Sequence, residues 1–176
     1  MTEVDYTFKI LLLGDPAVGK TSLVQRFLHG KFTKDYITTV GMEPYNHYLD
    51  LEDKKILLNL WDIAAGSLFT SIRNLFFKGA KGALIAFDLT RRDTFENIEV
   101  WFDEVSKFSP NLKFILVGNK NDLREDRVVY RREGNQKARE IDSCIGYIET
   151  SALTGMRVEE AFMKMAEDLY KVNSKG

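Results

Sequence analysis

One stretch of this chain constrains its fold more than any other: Gly14-Asp15-Pro16-Ala17-Val18-Gly19-Lys20-Thr21, which matches the pattern G-x-x-x-x-G-K-[ST]. Residues 8–13 before it are apolar enough to form a buried strand, and residues 22–29 after it have helical spacing. A loop that leaves a strand and enters a helix can wrap its backbone N–H groups around phosphate oxygens. The stretch therefore predicts a phosphate-binding loop, against the alternative of a glycine-rich turn that matches the pattern by chance.

The residue types in this loop indicate what each position contributes. Gly14 and Gly19 permit the close curl of the backbone, and Lys20 can reach the outer phosphates as a point charge. The Thr21 hydroxyl can bind the magnesium that accompanies those phosphates, whereas Pro16 fixes its own φ and removes one N–H. The candidate phosphate-contacting residues are Gly14, Asp15, Pro16, Ala17, Val18, Gly19, Lys20, Thr21 and Ser22.

The composition argues against several other functions. The 176 residues include 25 basic and 26 acidic ones without a basic run, so we expect no nucleic-acid partner. The single cysteine, Cys144, excludes an internal disulfide, fits a reducing compartment and is expected to be a small buried hydrophobe. No signal sequence, myristoylation site or apolar run of transmembrane length is present, so we expect a cytoplasmic protein that acts as a monomer. Membrane association would require a lipidated C-terminal extension that this chain lacks.

Strand-like and helical patterns alternate along the chain, which predicts an α/β fold in a single domain over residues 1–176. The expected sheet is that of a P-loop NTPase, with six strands, mostly parallel, one antiparallel strand, and helices on both faces. Its strands are expected at 8–13, 45–51, 56–61, 83–88, 114–117 and near 147–148. Residues 52–55 are expected to form a hairpin, and 56–60, with apolar residues on both faces, is expected to be a central strand. Helices are expected at 22–29, 68–77 and 131–141, and an exposed loop is expected at 30–40. Two more helices are expected from apolar residues at helical spacing, one through Phe95, Ile98, Trp101, Val105 and Phe108 and one through Val158, Ala161, Phe162, Met165 and Leu169.

Ligands on such sheets bind beyond the carboxyl ends of the strands, where this chain places several polar residues. Asp62 follows the strand 56–61 and could hold magnesium, although an aspartate at that place could also cap a helix. Asn119, Lys120 and Asp122 follow the strand 114–117. A carboxylate only accepts hydrogen bonds, so Asp122 suits guanine, which offers two parallel donors that adenine lacks.

With these motifs the chain resembles the Ras superfamily of small GTPases over essentially its whole length, and Trp61-Asp62 and Phe87-Asp88-Leu89-Thr90 are Rab-like. The resemblance implies that GTP or GDP and Mg²⁺ bind the protein. It implies base contacts by Phe32, Asn119, Lys120, Asp122, Ser151, Ala152 and Leu153, phosphate contacts by Tyr36, Thr39 and Ala65, and metal contacts by Thr21, Thr39 and Asp62. Thr38 is an alternative to Thr39, and Leu153 replaces a common lysine.

The resemblance also implies a switch, in which the γ-phosphate orders two loops at 33–42 and 63–77 and hydrolysis releases them. Effector proteins would bind through 33–45 and 63–77, and GTPase-activating and exchange proteins are possible partners. The apolar candidates for such contacts are Tyr36, Ile37, Met42, Phe69, Ile72, Phe76 and Phe77, although some of 72–77 would instead pack on the sheet.

The chain departs from the family pattern D-x-A-G-Q, because it has Asp62-Ile63-Ala64-Ala65-Gly66. In this register Ala65 replaces the glycine whose N–H meets the γ-phosphate, and Gly66 replaces the glutamine that orients the attacking water. A one-residue slip that makes Gly66 the glycine would still leave no glutamine. Lys20, Thr39 and the position of Gly66 are therefore the candidate catalytic residues, in an enzyme whose GTP hydrolysis is expected to be slow.

Three functions fit these observations to different degrees. The main hypothesis is a GTP-dependent switch that binds partner proteins and hydrolyses GTP slowly. The first alternative is a module, natural or engineered, that binds GTP and scarcely hydrolyses it. The second is a nucleoside kinase, which would need a second substrate site and a lid for which the sequence offers no segment.

Overall fold

The computed structural model of the protein describes residues 3–33, 39, 41–66 and 70–175. Within them the strands are β1 Tyr6–Leu13, β2 Met42–Leu51, β3 Lys54–Ile63, β4 Gly82–Asp88, β5 Lys113–Asn119 and β6 Cys144–Glu149. The helices are α1 Lys20–His29, α2 Thr70–Phe77, α3 Arg92–Glu96, α4 Ile98–Ser106, α5 Arg131–Glu140 and α6 Val158–Asn173, with a short 3-10 turn at Arg124–Asp126. Strands and helices alternate as the sequence pattern predicts.

The six strands form one sheet in the order β2-β3-β1-β4-β5-β6. Only the β2–β3 pair is antiparallel, and the turn at Glu52 and Asp53 joins these two strands. The pairs β1–β3, β1–β4, β4–β5 and β5–β6 are all parallel. This confirms the predicted mostly parallel sheet with one antiparallel strand, and it places the carboxyl ends of β1, β3, β4, β5 and β6 at the same edge.

Two apolar layers cover the two faces of this sheet. On one face, Leu23 and Val24 of α1 and Phe162 and Met165 of α6 pack against alternate residues of the strands. On the other face the buried residues come from α2, α3, α4 and the residue that follows α5, and include Phe77, Phe95, Trp101 and Ile141. Helices therefore flank the sheet on both sides, as expected for this fold class.

Several strands run further than their apolar patterns indicate. Because β3 pairs with β2 as far as Ile63, Asp62 is the penultimate residue of the strand and not a residue after it. Likewise β5 pairs with β4 as far as Asn119. The strand β3 is internal but lies next to the edge strand β2. Its face with Leu57, Asn59 and Trp61 is only half-buried, so the expectation of a central strand covered on both faces was wrong.

Two further expectations were wrong. The helix expected from Phe95 to Phe108 is two helices, α3 and α4, which meet at Asn97, and Phe108 lies beyond the end of α4 with 44% of its surface exposed. Cys144 is half-buried and not a core residue. Its thiol faces the carbonyl oxygen of Gly146, and burial raises its pKa, so it is a poor nucleophile.

In the part of the chain that the structure describes, no helix is both long and apolar enough to cross a membrane.

Candidate functional site

The phosphate-binding loop connects the end of β1 at Leu13 to the start of α1 at Lys20. Its curl requires positive φ at Gly14 (139°), Ala17 (63°) and Gly19 (101°). A Cβ on Gly14 would lie 2.2 Å from the carbonyl oxygen of Ala86, so the loop passes too close to β4 for any other residue. A Cβ on Gly19 would lie 2.4 Å from the Asn119 amide nitrogen. Both glycines therefore fix the loop against its neighbours.

The side chain of Lys20 lies against the start of this loop. Its ammonium group donates to the carbonyl oxygens of Gly14 at 2.8 Å and Asp15 at 3.1 Å, and the side chain is buried. Burial lowers the pKa of Lys20 to about 8, against the opposing charges of Asp62 and Asp15. An anionic ligand would strengthen the charged form of the amine, so the loop is poised to accept phosphate oxygens.

The Asp15 carboxylate does not face the interior of the loop. It accepts hydrogen bonds from the Asn97 amide at 3.0 and 3.1 Å and from the indole N–H of Trp101 at 2.8 Å. Arg91 donates to the carbonyl oxygen of Pro16 at 2.8 Å. The loop is thus tied to the segment around α3 and α4, and the side chain of Asp15 is committed to that contact.

Three oxygen-bearing side chains meet beside the loop. The Thr21 hydroxyl lies 2.5 Å from Oδ2 of Asp62 and 2.6 Å from the Thr39 hydroxyl, which lies 3.2 Å from the same Oδ2. The other carboxylate oxygen, Oδ1 of Asp62, is buried and has no hydrogen-bond partner among the described residues. Burial raises the pKa of Asp62, whereas the Thr21 hydroxyl and the Lys20 charge oppose that shift. An orphaned carboxylate oxygen with two hydroxyls beside it fits Mg²⁺, which prefers oxygen ligands and takes few of them from protein.

A second group of polar residues lies where β5 and β6 end. Asn119 is buried, and its amide nitrogen donates to the carbonyl oxygen of Val18 at 2.9 Å. Its amide oxygen accepts from the Thr150 hydroxyl and from the backbone N–H of Ala152. Ser151 donates to Oδ1 of Asp122 at 2.7 Å, which leaves the other carboxylate oxygen available for a ligand that donates.

Other predicted base-contacting residues surround this group. Lys120 has a positive φ of 69° and its ammonium group lies 2.7 Å from the buried carboxylate of Asp88. Phe32 is half-buried and packs against the core, and Leu153 is 43% exposed. Arg26 of α1, which the sequence did not single out, donates to the carbonyl oxygens of Ala152 and Leu153 and holds their loop against α1.

A largely buried ion pair lies next to the polar residues at the ends of β5 and β6. Arg127 makes a two-pronged contact with Glu149, and the two side chains are 18% and 9% exposed. Tyr147 also donates to Glu149, at 2.9 Å. Since Glu149 immediately precedes Thr150 and Ser151, this pair fixes the chain that positions Asp122.

The segment after β3 contains Ala65 and Gly66, at which the sequence differs from the pattern D-x-A-G-Q. Ala64 donates its backbone N–H to the carbonyl oxygen of Gly41 at 3.0 Å, and Ala65 and Gly66 follow. The buried Arg73 of α2 approaches the carbonyl oxygens of Ala65 and Gly66 at 3.4 and 3.5 Å. No motif predicts Arg73; the only signal is a charged residue four positions before the buried Phe77 on the same helix face.

Some of the predicted site falls outside the described residues, namely Tyr36, Ile37, Thr38 and Phe69. On α2, Ile72 is 46% and Leu75 76% exposed, whereas Phe77 is fully buried. Phe77 therefore packs on the sheet, which is the alternative that the sequence left open for some of residues 72–77, and Leu75 was not among the predicted contacts. Phe76 is half-buried and packs on Trp61, with 5.4 Å between ring centroids.

Comparison with known proteins agrees with this geometry. A model of the Ras family matches residues 9–171. The chain belongs to the Ras family. Among its relatives, the Ras-related proteins RABA1b and RABA6b of Arabidopsis thaliana are 37% and 41% identical to it, over 98% and 97% of this chain and 80% and 74% of their own lengths. The Ras-related protein RIC1 of Oryza sativa subsp. japonica is 39% identical over 95% of this chain and 82% of its own.

These relatives make the chain a Rab-like member of the family. Members of the Ras family are GTPases that bind GTP or GDP together with Mg²⁺, and they interact with effector, GTPase-activating and exchange proteins.

Proposed function

We propose that this protein is a guanine-nucleotide switch, in a single domain, that binds effector proteins in its GTP state and hydrolyses GTP slowly. One observation carries the proposal. Three groups lie at one edge of the sheet: the phosphate-binding loop, the oxygen cluster of Asp62, and the pair Asn119 and Asp122. Thr21 joins the first two by its hydrogen bond to Asp62, and Asn119 donates to the carbonyl oxygen of Val18 in the loop. A nucleotide would span all three, with its base beside β5 and β6 and its phosphates along β1.

The free oxygen of Asp122 supports the choice of base. Guanine presents a ring N–H and an exocyclic amine side by side, and a carboxylate can accept from both. Ser151 orients the carboxylate through the hydrogen bond to its other oxygen. ATP would offer Asp122 no such pair of donors, so we expect ATP to bind far more weakly than GTP.

Thr21, Thr39 and Asp62 are the residues that would hold Mg²⁺. The ion would supply positive charge to the phosphate oxygens. Lys20 and the N–H groups of the loop would stabilise the negative charge that develops as water attacks the γ-phosphate in line and GDP leaves. The family pattern assigns the orientation of that water to a glutamine, and Gly66 has no side chain with which to do so.

The missing glutamine supports slow hydrolysis. Loss of one preorganised polar group costs on the order of 10²- to 10³-fold in rate. The Cβ of Ala65 would also restrict the backbone where the family has glycine. The same two residues favour the alternative function, a protein that binds GTP, scarcely hydrolyses it, and is controlled by nucleotide loading alone.

Partner binding would use residues 33–45 and 63–77. Ile72 and Leu75 of α2 present apolar side chains to solvent, close in the helix to Phe76 and its contact with Trp61. Exposed apolar residues of this kind are typical of protein-binding surfaces. A cytoplasmic location, with membrane association through a lipid anchor in a full-length form, is part of the proposal.

The test combines nucleotide binding with single-turnover hydrolysis. We expect GTP and GDP to bind with Mg²⁺ and ATP to bind poorly; a preference for ATP would overturn the switch. We then expect Gly66→Gln to hydrolyse GTP faster than the unmodified chain, whereas the control Asp142→Gln, in the exposed turn between α5 and β6, should leave the rate unchanged. If the unmodified chain is as fast as Gly66→Gln, another group orients the water; if both are inactive, the binding-module alternative holds.

A further inference from the structure

Arg73 is a buried cation whose partners all lie within the protein. Its Nε and Nη2 atoms donate to the two carboxylate oxygens of Glu104 on α4, at 2.6 and 2.9 Å. The two side chains are 8% and 18% exposed, so the pair is largely shielded from water. The guanidinium carbon also lies 4.6 Å from the ring centre of Trp101 on α4. A planar guanidinium clamped by a carboxylate and stacked on an aromatic ring has a fixed orientation.

The remaining nitrogen of this guanidinium, Nη1, points at the segment after β3. It lies 3.4 Å from the carbonyl oxygen of Ala65 and 3.5 Å from that of Gly66, which are long hydrogen bonds from one donor to two acceptors. Because a trans peptide is planar, fixing the carbonyl of Ala65 also fixes the N–H of Gly66 on the opposite side. Arg73 therefore sets the direction of the peptide groups at these two positions.

Trp101 connects the same guanidinium to the phosphate-binding loop. While one face of its ring receives Arg73, its indole N–H donates to the Asp15 carboxylate at 2.8 Å. Asn97 donates to both oxygens of the same carboxylate. The segment 64–66 and the phosphate-binding loop are thus anchored to one support, formed by Asn97 and by Trp101 and Glu104 of α4.

The order of the strands shows which part of a nucleotide this support would face. The candidate base site lies at the ends of β5 and β6, the phosphate-binding loop at the end of β1, and Asp62 and Ala65 at the end of β3, on the far side of β1 from the base. A nucleotide laid along this edge from β6 towards β3 would bring only its outermost phosphate to residues 64–66. GDP, which is one phosphate shorter, would stop before them.

We propose that Arg73 is a positioning residue for the terminal phosphate, which sets how strongly the protein prefers GTP to GDP. This rests on the proposed function, since it assumes a guanine nucleotide in that orientation. Arg73 does not touch the nucleotide. It holds Ala65 and Gly66 in the arrangement that receives the third phosphate, and Glu104 and Trp101 hold Arg73.

The test measures dissociation constants for GDP and for a non-hydrolysable GTP analogue, both with Mg²⁺. In Arg73→Met we expect the ratio of the GTP-analogue constant to the GDP constant to rise about tenfold, within the usual range of coupling between sites, with GDP affinity nearly unchanged. Glu104→Gln should shift the ratio in the same direction by less. The control Arg92→Met removes another arginine that makes a two-pronged contact, with Glu133, away from this support, and should leave the ratio unchanged.

Each outcome decides the proposal. An unchanged ratio in Arg73→Met, or an equal loss of affinity for both nucleotides, would show that Arg73 only supports the fold. If Arg73→Met does not fold, Glu104→Gln decides alone, and an unchanged ratio there overturns the proposal. If the unmodified chain binds neither nucleotide, the proposed function itself fails.

Discussion

The amide group of Asn119 donates to the carbonyl oxygen of Val18 at 2.9 Å, and this contact joins the end of β5 to the phosphate-binding loop. The same side chain accepts from the backbone N–H of Ala152 at 3.2 Å and from the Thr150 hydroxyl at 3.1 Å. Asn119 is only 2% exposed. One buried amide therefore holds together three loops that are far apart in sequence.

Asn119→Ala should destabilise the protein even without nucleotide. The substitution leaves the carbonyl oxygen of Val18 and the N–H of Ala152 buried without a partner, and each such group costs about 1–3 kcal/mol. We expect the free energy of unfolding to fall by about 3 kcal/mol in urea denaturation of the nucleotide-free protein. Asn121→Ala is the control, because among the described residues that side chain makes only contacts of 3.4 and 3.6 Å, and it should cost less than about 1 kcal/mol. Equal losses in the two variants would refute the role of Asn119.

Arg127→Met tests the ion pair beneath the candidate base site. It leaves the Glu149 carboxylate, which is 9% exposed, without its cation, and breaking a buried pair in this way costs about 3–5 kcal/mol. Arg157→Met, the matched control, breaks a pair with the half-exposed Glu160 on α6, and exposed pairs contribute about 0–1 kcal/mol. Urea denaturation of both variants should show the large loss only for Arg127→Met; similar losses would mean that Glu149 is solvated.

These contacts show which parts of the site local sequence can predict. The phosphate-binding loop was predictable because its chemistry depends on backbone conformations within eight consecutive residues. The bonds of Arg127 to Glu149 and of Arg73 to Glu104 were not, since the partners lie 22 and 31 residues apart and no periodic pattern links them. The extension of β3 to Ile63 has the same cause, because its length depends on pairing with β2 and not on its own composition.

The outermost positions of the predicted helices show the same limit. Spacing assigned Phe77 and Phe108 to apolar helix faces, yet Phe77 is completely buried, whereas Phe108 lies beyond the end of α4 and is 44% exposed. Periodicity indicates which residues share a face, but the neighbouring elements decide how far that face is covered. Gly134 shows the same dependence on neighbouring elements. Nothing in the sequence of α5 indicates why a glycine is needed there, whereas the structure shows the ring of Tyr147 against it.

Gly134→Ala should destabilise the protein, although alanine favours helices by about 1 kcal/mol. A Cβ at this position would lie 2.2 Å from two ring atoms of Tyr147, and overpacking of this kind costs about 1–3 kcal/mol. In a Tyr147→Leu background the ring is gone, so the same substitution should be neutral or stabilising. A double-mutant cycle in urea separates the two effects. If Gly134→Ala lowers the free energy of unfolding equally in both backgrounds, the ring of Tyr147 is not the cause.

Removal of magnesium tests the assignment of Asp62. Among the residues that the structure describes, Oδ1 of this carboxylate is buried without a partner, and Oδ2 is shared with the hydroxyls of Thr21 and Thr39, so the group is arranged to receive a cation. A chelator should accelerate release of a fluorescent GDP from the unmodified protein by about tenfold or more, the usual scale for loss of metal-site contacts. Asp62→Ala should release GDP rapidly already and respond little to the chelator. Asp50→Ala removes an exposed carboxylate of β2 and should behave as the unmodified protein does. An Asp62→Ala variant that stays as sensitive to chelation as the unmodified chain would place the metal elsewhere.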